Sequence, residues 1–178
     1  MDRPTSVMQD QRVAIIGAGV SGLGIGWRLA QAGCQVVIFD RSEAGRGASW
    51  AAAGMLAARA EAEPGEEALL SLNLQAQQIW PVFAKELEAA SGRTIGYRDE
   101  GTLIVAPTRD DAEQLRFTYE YQKSQGLDVH WLNAAEVGRR EPYLAPGLSG
   151  GVFSPGDHQV DNRELSLALK AAFLAAGG

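Results

Sequence analysis

RVAIIGAGVSGLGIGWRLAQAGCQVVIFDR, from Arg12 to Arg41, is the stretch that decides the fold. Val13, Ala14, Ile15 and Ile16 make a short unbroken apolar run, the pattern of a strand buried on both faces. Gly17, Gly19 and Gly22 follow as G-x-G-x-x-G and open a helical pattern that continues to Ala32. Gly33 stands where a helix needs its left-handed C′ residue. A second apolar run, Val36 to Phe39, ends in Asp40. Strand, glycine turn, helix, strand and acid compose one βαβ unit of about 30 residues.

Each part suits a dinucleotide. Gly17 permits the tight turn, Gly19 leaves the backbone bare where a pyrophosphate approaches, and Gly22 lets the helix lie close on the strand. The first N–H groups of the helix and its positive dipole end face the phosphates. Asp40, 23 residues after Gly17, lies near the spacing at which a carboxylate meets ribose hydroxyls, and it would repel a 2′-phosphate. Three glycines alone are a weak sign. The flanking strand, helix and acid supply the context the motif needs, against the blander reading of a glycine-rich turn in a ligand-free domain. FAD and NAD both remain open at this point, since both use the motif.

The 178 residues are 46% hydrophobic and 21% charged, which suits a globular chain with a real core. A formal charge of −6 without a basic cluster argues against nucleic acid or an anionic membrane as partner. Cys34 is the only cysteine, so no internal disulfide is available; it reads as a small buried filler. The first eleven residues lack the apolar core of a signal peptide, and no run is long enough to span a membrane. The expected location is cytoplasmic.

Gly22, Gly24 and Gly26 make the first helix costly in propensity. Gly22 and Gly26 share a face and are explained by close packing, whereas Gly24 is not. After Asp40 comes Ser42–Leu56, SEAGRGASWAAAGML, with neither helical nor strand period. A plain NAD-binding domain would pass to a second crossover helix here. A loop of Gly, Ala and Ser instead lets backbone lie against a flat, extended ligand. Trp50, Met55 and Leu56 make it too apolar for a linker.

Continued through GRGASWAAAGMLAARAEAE, this segment resembles the D-amino-acid oxidase group of flavoproteins, and within it the glycine oxidases most of all. The specific part is AAAGML, Ala51 to Leu56, with Glu61, Glu63 and Glu66 close behind; the resemblance extends over essentially the whole chain. It implies non-covalent FAD and oxidation of a small amino acid or amine (glycine, sarcosine, small D-amino acids) by O2. The products would be an imine or 2-oxo acid, ammonia or an amine, and hydrogen peroxide, with a bacterial role in making the thiazole of thiamine. The resemblance also implies the cofactor contacts. Gly17, Gly19, Val20, Ser21 and Gly22 would meet the pyrophosphate, and Asp40 and Arg41 the adenosine ribose. Ala48 and Ser49 match a pair that bears hydroxyls in some relatives, and only Ser49 has one here. Ala53, Gly54 and Met55 would run along the flavin ring. The arginine and tyrosines that hold substrate in this group would lie beyond Gly178, so no catalytic residue is assigned, and no metal ligand either. Homo-oligomers are compatible with the resemblance. Other readings are a D-amino-acid or sarcosine-type oxidase, or a dehydrogenase passing electrons to a quinone. From a different class come an NAD-binding dehydrogenase domain and a non-catalytic nucleotide sensor.

Pro64–Ser91 reads as a helix with apolar steps of three and four, and Pro81 predicts a kink or split near Trp80. Thr94–Arg98 and Thr102–Ala106 read as a hairpin turning at Asp99-Glu100-Gly101. A helix from Thr108 to about Gln125, a strand over Val129–Leu132, a helix capped by Asn133 and Glu136, and a strand over Gly150–Phe153 follow. His130 reads as structural, and Trp131 and Tyr97 as packing aromatics. Ser154–Val160 reads as a polar loop in which Asp157, His158 and Asp161 lack metal-ligand spacing. Asp161 and Glu164 cap a last helix with Leu165, Ala168, Leu169, Ala172 and Phe173 on its apolar face.

The expected fold is α/β. A Rossmann-type FAD-binding domain (1–92, with a return helix at 161–178) receives an inserted α+β antiparallel-sheet substrate domain (93–160), incomplete in this chain. Two parallel strands cannot bury both helix faces, so Leu165 and Leu169 are expected to be exposed. About half of the intended core would be supplied by residues beyond the chain.

Overall fold

The computed structural model describes residues 11–178, which divide into two units. The first comprises the residues up to Gly54, Pro81–Tyr97 and Val160–Gly178; the second comprises Met55–Trp80 and Arg98–Gln159.

In the first unit the βαβ element forms as the glycine spacing predicts. β1 (Arg12–Ile16) and β2 (Gln35–Phe39) run parallel, in register from Arg12–Gln35 to Ile16–Phe39, with α1 (Val20–Gln31) between them. Gly33, at φ +91°, ends α1. Its N–H donates to Ala30 (3.0 Å) and that of Cys34 to Leu29 (3.1 Å), the paired bonds of a Schellman cap. The two same-face glycines are packing glycines. A Cβ on Gly22 would lie 1.9 Å from the Gly17 carbonyl oxygen, and one on Gly26 would lie 2.8 Å from Ile38 and 3.2 Å from Phe173. Gly24 would meet nothing within 4 Å. Gly24→Ala is therefore expected to stabilise the protein by about 0.5–1 kcal/mol, the helix-propensity difference. A higher urea midpoint with unchanged ligand binding would bear this out; a lower one would mean that Gly24 serves a contact outside the described residues.

α2 (Ala48–Ala51), the second half of α3 (Glu67–Ser91) and α6 (Asn162–Ala175) complete this unit. Trp27 of α1 meets Phe83 of α3 edge-on at 5.7 Å, and Arg28 stacks on both rings while pairing with Glu86 at 2.6 Å. Two expectations fail here. Leu165 and Leu169 are buried, 5% and 1% exposed, because α6 packs against α1 and needs no further strand to cover it. The unsupported surface lies elsewhere. Ala14, Ile16, Val37 and Phe39 all point to the opposite side of the two-stranded sheet, where Ile16 is 93% exposed. β1 is thus half-buried rather than buried on both faces. Its alternation follows from having one packed face, formed by Val13, Ile15, Val36 and Ile38.

The second unit is built on an antiparallel sheet ordered β4–β6–β5, with β4 at Thr102–Ala106, β5 at His130–Leu132 and β6 at Gly150–Ser154. α4 (Arg109–Ser124) covers one face, where Leu115 and Tyr119 pack with Val152 and Trp131. α5 (Ala134–Arg140) lies on the other, with Val137 3.1 Å from where a Cβ on Gly151 would stand. Both helices open with complete capping boxes, Thr108 with Asp111 and Asn133 with Glu136, so the first is better formed than its sequence suggests. Trp131 packs, meeting Tyr119 edge-on at 6.0 Å and carrying the guanidinium of Arg116 over its ring at 4.0 Å. His130 lies at the surface, 3.0 Å from Asp128.

Three further expectations are corrected. The 94–106 hairpin does not form. Strand β4 pairs with β6 along five residues, whereas Arg98 exchanges two backbone bonds with Gln159 (2.9 and 3.0 Å) and Ile95 N–H donates to Glu88 Oε1 (2.9 Å). The supposed first strand has its bonding groups taken by other partners. The loops at 42–56 and 154–160 are not featureless either, since β3 (Met55–Leu56) pairs antiparallel with β7 (His158–Gln159). Finally, α3 runs through Pro81 without a break. Leu70 and Gln77 before the proline, and Ala84 and Leu87 after it, are all buried, and this anchoring offsets the roughly 3 kcal/mol that proline costs a helix.

Candidate dinucleotide site

Gly17 turns the chain at φ +102°, with its N–H bonded to the Phe39 carbonyl at 2.7 Å. Gly19 is the N-cap of α1, and Leu23 N–H makes the helix's first internal bond, to Gly19 at 2.9 Å. The earlier N–H groups, from Val20 to Gly22, have no i−4 partner within the helix. That of Val20 donates to Ser49 Oγ at 2.9 Å. A Cβ on Gly19 would lie 3.1 Å from the same hydroxyl oxygen and crowd this bond. Ser49 is brought from α2, which is itself pinned: Asn162 Nδ2 donates to the carbonyls of Ser49 (2.8 Å) and Trp50 (2.9 Å). The guanidinium groups of Arg46 (3.8 Å) and Arg163 (5.3 Å) both lie over the Trp50 ring, and Arg46 also pairs with Glu43 (3.5 Å).

Asp40 closes the other side of the cradle. Its Oδ2 accepts from Ala18 N–H at 2.7 Å, and its Oδ1 accepts from Ser42 N–H at 2.9 Å and Ser42 Oγ–H at 3.2 Å. The Ala18 and Ser42 N–H groups bond the ionised form and hold this carboxyl below its ordinary value, with the charge of Arg41 helping. Oδ2, with a single donor, keeps lone-pair capacity for a further one.

The structure thus gathers Gly17, Gly19, Val20, Gly22, Asp40 and Ser49. Ser21, Arg41, Ala48 and Ala53 are exposed. Gly54, at φ +77°, is held elsewhere: its carbonyl accepts from Val160 N–H at 2.9 Å, and a Cβ would lie 2.0 Å from the Val160 oxygen. Met55 opens β3, is exposed, and pairs with Gln159. The backbone tie at Ala18 and the anchors Ser42 and Asn162 were not read from sequence; the polar doublet Asp161-Asn162 before the last helix was the one available signal for Asn162.

Bare backbone at Gly19, N–H groups without a partner inside the helix at its start, a hydroxyl beside them and an acid at the end of β2 fit a dinucleotide of pyrophosphate and ribose. Such a cradle, in a unit interrupted by an antiparallel α+β unit, defines a dinucleotide-binding oxidoreductase of the flavoprotein kind. Residues 12–178 match the DAO family, FAD dependent oxidoreductases, and the chain belongs to that family. Its dinucleotide is FAD.

The chain is 39% identical to the glycine oxidase of Geobacillus kaustophilus over 93% of its own length, and its fold superposes on 46% of that enzyme's crystal structure with a TM-score of 0.87. It is 34% identical to the bifunctional protein ThiO/ThiG of Trichormus variabilis, over 93% of this chain and 24% of that one. The crystal structure of iminodiacetate oxidase from Chelativorans sp. BNC1 is also similar, at 29% identity and a TM-score of 0.74, over 93% of this chain and 45% of that one. The chain spans less than half the length of these relatives. Among the described residues, no helix is long and apolar enough to cross a membrane.

Proposed function

We propose that this chain is the FAD-holding part of an amino-acid oxidase of the glycine oxidase type, acting on glycine, sarcosine or small D-amino acids with O2. The products would be an imine or 2-oxo acid, ammonia or an amine, and hydrogen peroxide, and the bacterial role would be supply of the glycine imine for the thiazole of thiamine. The observation that carries the cofactor assignment is the meeting of Ser49 Oγ with Val20 N–H at the positive end of α1, across 29 residues of chain. Kinship with glycine oxidase and with ThiO/ThiG supports the substrate class.

In this reading Val20 and Ser21 present backbone N–H groups to the pyrophosphate, Gly17, Gly19 and Gly22 shape the turn and leave room for it, and Ser49 adds its hydroxyl. Asp40 and Arg41 take the adenosine ribose. Ala48 lies beside Ser49, and Ala53, Gly54 and Met55 present small or pliable surface to the flavin ring. FAD, when bound, supplies the two-electron oxidation of the amine. The residues of this chain bind and orient; none is assigned proton transfer. The reading includes a cytoplasmic, homo-oligomeric enzyme, and light scattering on the purified protein tests the oligomer.

The full-length protein should be yellow as purified, release FAD on denaturation and form peroxide with glycine, sarcosine or D-alanine. A colourless protein that binds NAD would sink the proposal. Glycine being inert while other amines react would move it to a neighbouring oxidase. Asp40→Asn should weaken FAD binding by about tenfold, the worth of one hydrogen bond to a charged group. The pH dependence has a definite sign. Because Asp40 is held below its ordinary value, its contribution is complete above the usual carboxylate range, near pH 4, and is lost as pH falls through the lower folded value. Titrating FAD release in both proteins should show this acid-side loss in the wild type and not in Asp40→Asn.

A further inference from the structure

Gln122 of α4 and Ser154 of β6 stand in the core of the second unit, both fully buried. Gln122 Oε1 and Ser154 Oγ have no hydrogen-bond partner among the described residues. This chain alone already shuts both atoms off from the surface, so no further residue of a longer protein reaches them. A polar atom in such a place is costly unless it is bonded. The orientation of the amide is fixed by its other end, since Nε2 donates to the carbonyls of Arg59 (2.9 Å) and Ala60 (3.4 Å). Turning the amide over would set its oxygen against those two oxygens, so Oε1 faces away from them and needs a donor.

The topology brings Ser154 to the same level. β4 and β5 both run antiparallel to β6, so α4, which returns from the end of β4 toward β5, runs in the direction of β6. Val152 belongs to the cluster against which Leu115 and Tyr119 pack. From Tyr119 to Gln122 the helix advances about 4.5 Å on that face. From Val152 to Ser154 the strand advances about 6.6 Å on its facing side. Bonds also join the two residues from behind. The Ala60 N–H donates to Asp157 Oδ2 (2.7 Å), and the Asp157 N–H donates to the Ser154 carbonyl (3.4 Å). Gln122 Oε1 and Ser154 Oγ are thus the open ends of one bonded arc, and they do not bond each other directly.

We infer that one buried water closes this arc, donating to Gln122 Oε1 and bonding Ser154 Oγ, so that α4 and β6 are joined through a solvent molecule. The pair of atoms suits water. An amide oxygen only accepts, which turns away an anion, and the hydroxyl can donate or accept as the water requires. Two side-chain oxygens are too few for a calcium or magnesium ion. A crystal structure of the full-length protein, at a resolution that shows ordered solvent, should hold one peak within hydrogen-bonding distance of both atoms. Ser154→Ala and Gln122→Leu should each favour unfolding in urea. The second should do so more strongly, because it also strips the Arg59 and Ala60 carbonyls of their donor. In the double variant the combined effect should fall short of additive by about fivefold in the unfolding constant, the worth of one hydrogen bond. No peak at that position, a direct bond between the two side chains, a peak ringed by oxygen ligands at metal distances, or strictly additive losses overturns the inference. Should a variant fail to fold, the wild-type peak decides alone. Neither readout depends on the reaction catalysed.

Discussion

Replacing Asp157 by alanine is expected to cost about 3–5 kcal/mol, the range seen when one partner is removed from a buried charged network. Asp157 is fully buried, and its carboxylate is the common acceptor for a turn, a helix and a guanidinium. Arg59 N–H reaches its two oxygens at 3.0 and 3.2 Å, Ala60 N–H donates at 2.7 Å, Gln77 Nε2 at 3.2 Å, and Arg59 Nη1 stands 3.5 Å away. Alanine would leave these donors facing an empty, dry space. Asparagine would be little better, because its amide must turn N–H toward N–H. The urea midpoint of the full-length protein measures the loss, and limited proteolysis within residues 57–62 reports where it falls. A loss below about 1 kcal/mol would show that water enters and satisfies the donors, contrary to their burial.

The second large effect is expected at Gly22. Both atoms that a Cβ there would strike within 3.1 Å, the Gly17 oxygen and carbonyl carbon, are backbone and cannot swing away. α1 would have to lift from β1, at a cost of about 3 kcal/mol or more. Val20 N–H would then lose Ser49, so Gly22→Ala should purify without flavin. Gly26→Ala offers the internal comparison. Its neighbours are the ends of side chains, Ile38 and Phe173, and a smaller loss with flavin retained is expected. With Gly24→Ala stabilising, three identical substitutions on one helix should give three different outcomes. Equal effects at Gly22 and Gly24 would contradict the packing described.

The features legible in the sequence were those specified locally. The glycine turn, Asp40, the Gly33 stop and both capping boxes each depend on residues within one or two turns of chain. So the βαβ unit and its glycine turn were readable from the sequence. Features with remote partners were not. Asp157 looked like part of a polar loop because its partners, Arg59 and Gln77, lie 98 and 80 residues away. β3 and β7 are two residues each, too short for any alternation to show. At the supposed hairpin the turn residue was identified correctly, Gly101 being at φ +93°, but its bare α-carbon serves a different neighbour. A Cβ there would lie 2.6 Å from the Phe153 ring. Local turn chemistry says that a chain turns, and not which strand it will meet.

The packing of α6 against α1 has a consequence for how the molecule is made. Asn162 pins the helix that carries Ser49, and Phe173 fills the space left by Gly26, so the cradle is braced by residues synthesised some 110 to 150 positions after the parts they support. The sheet of the second unit, by contrast, draws on one contiguous stretch from Thr102 to Ser154. On a translating ribosome that sheet can pair while the glycine turn, already emerged, still waits for its brace. Long-range closure of this kind is slow relative to local pairing. Capture of flavin should therefore come late in biogenesis, and cells short of flavin should accumulate chains whose second unit is folded and whose first is not.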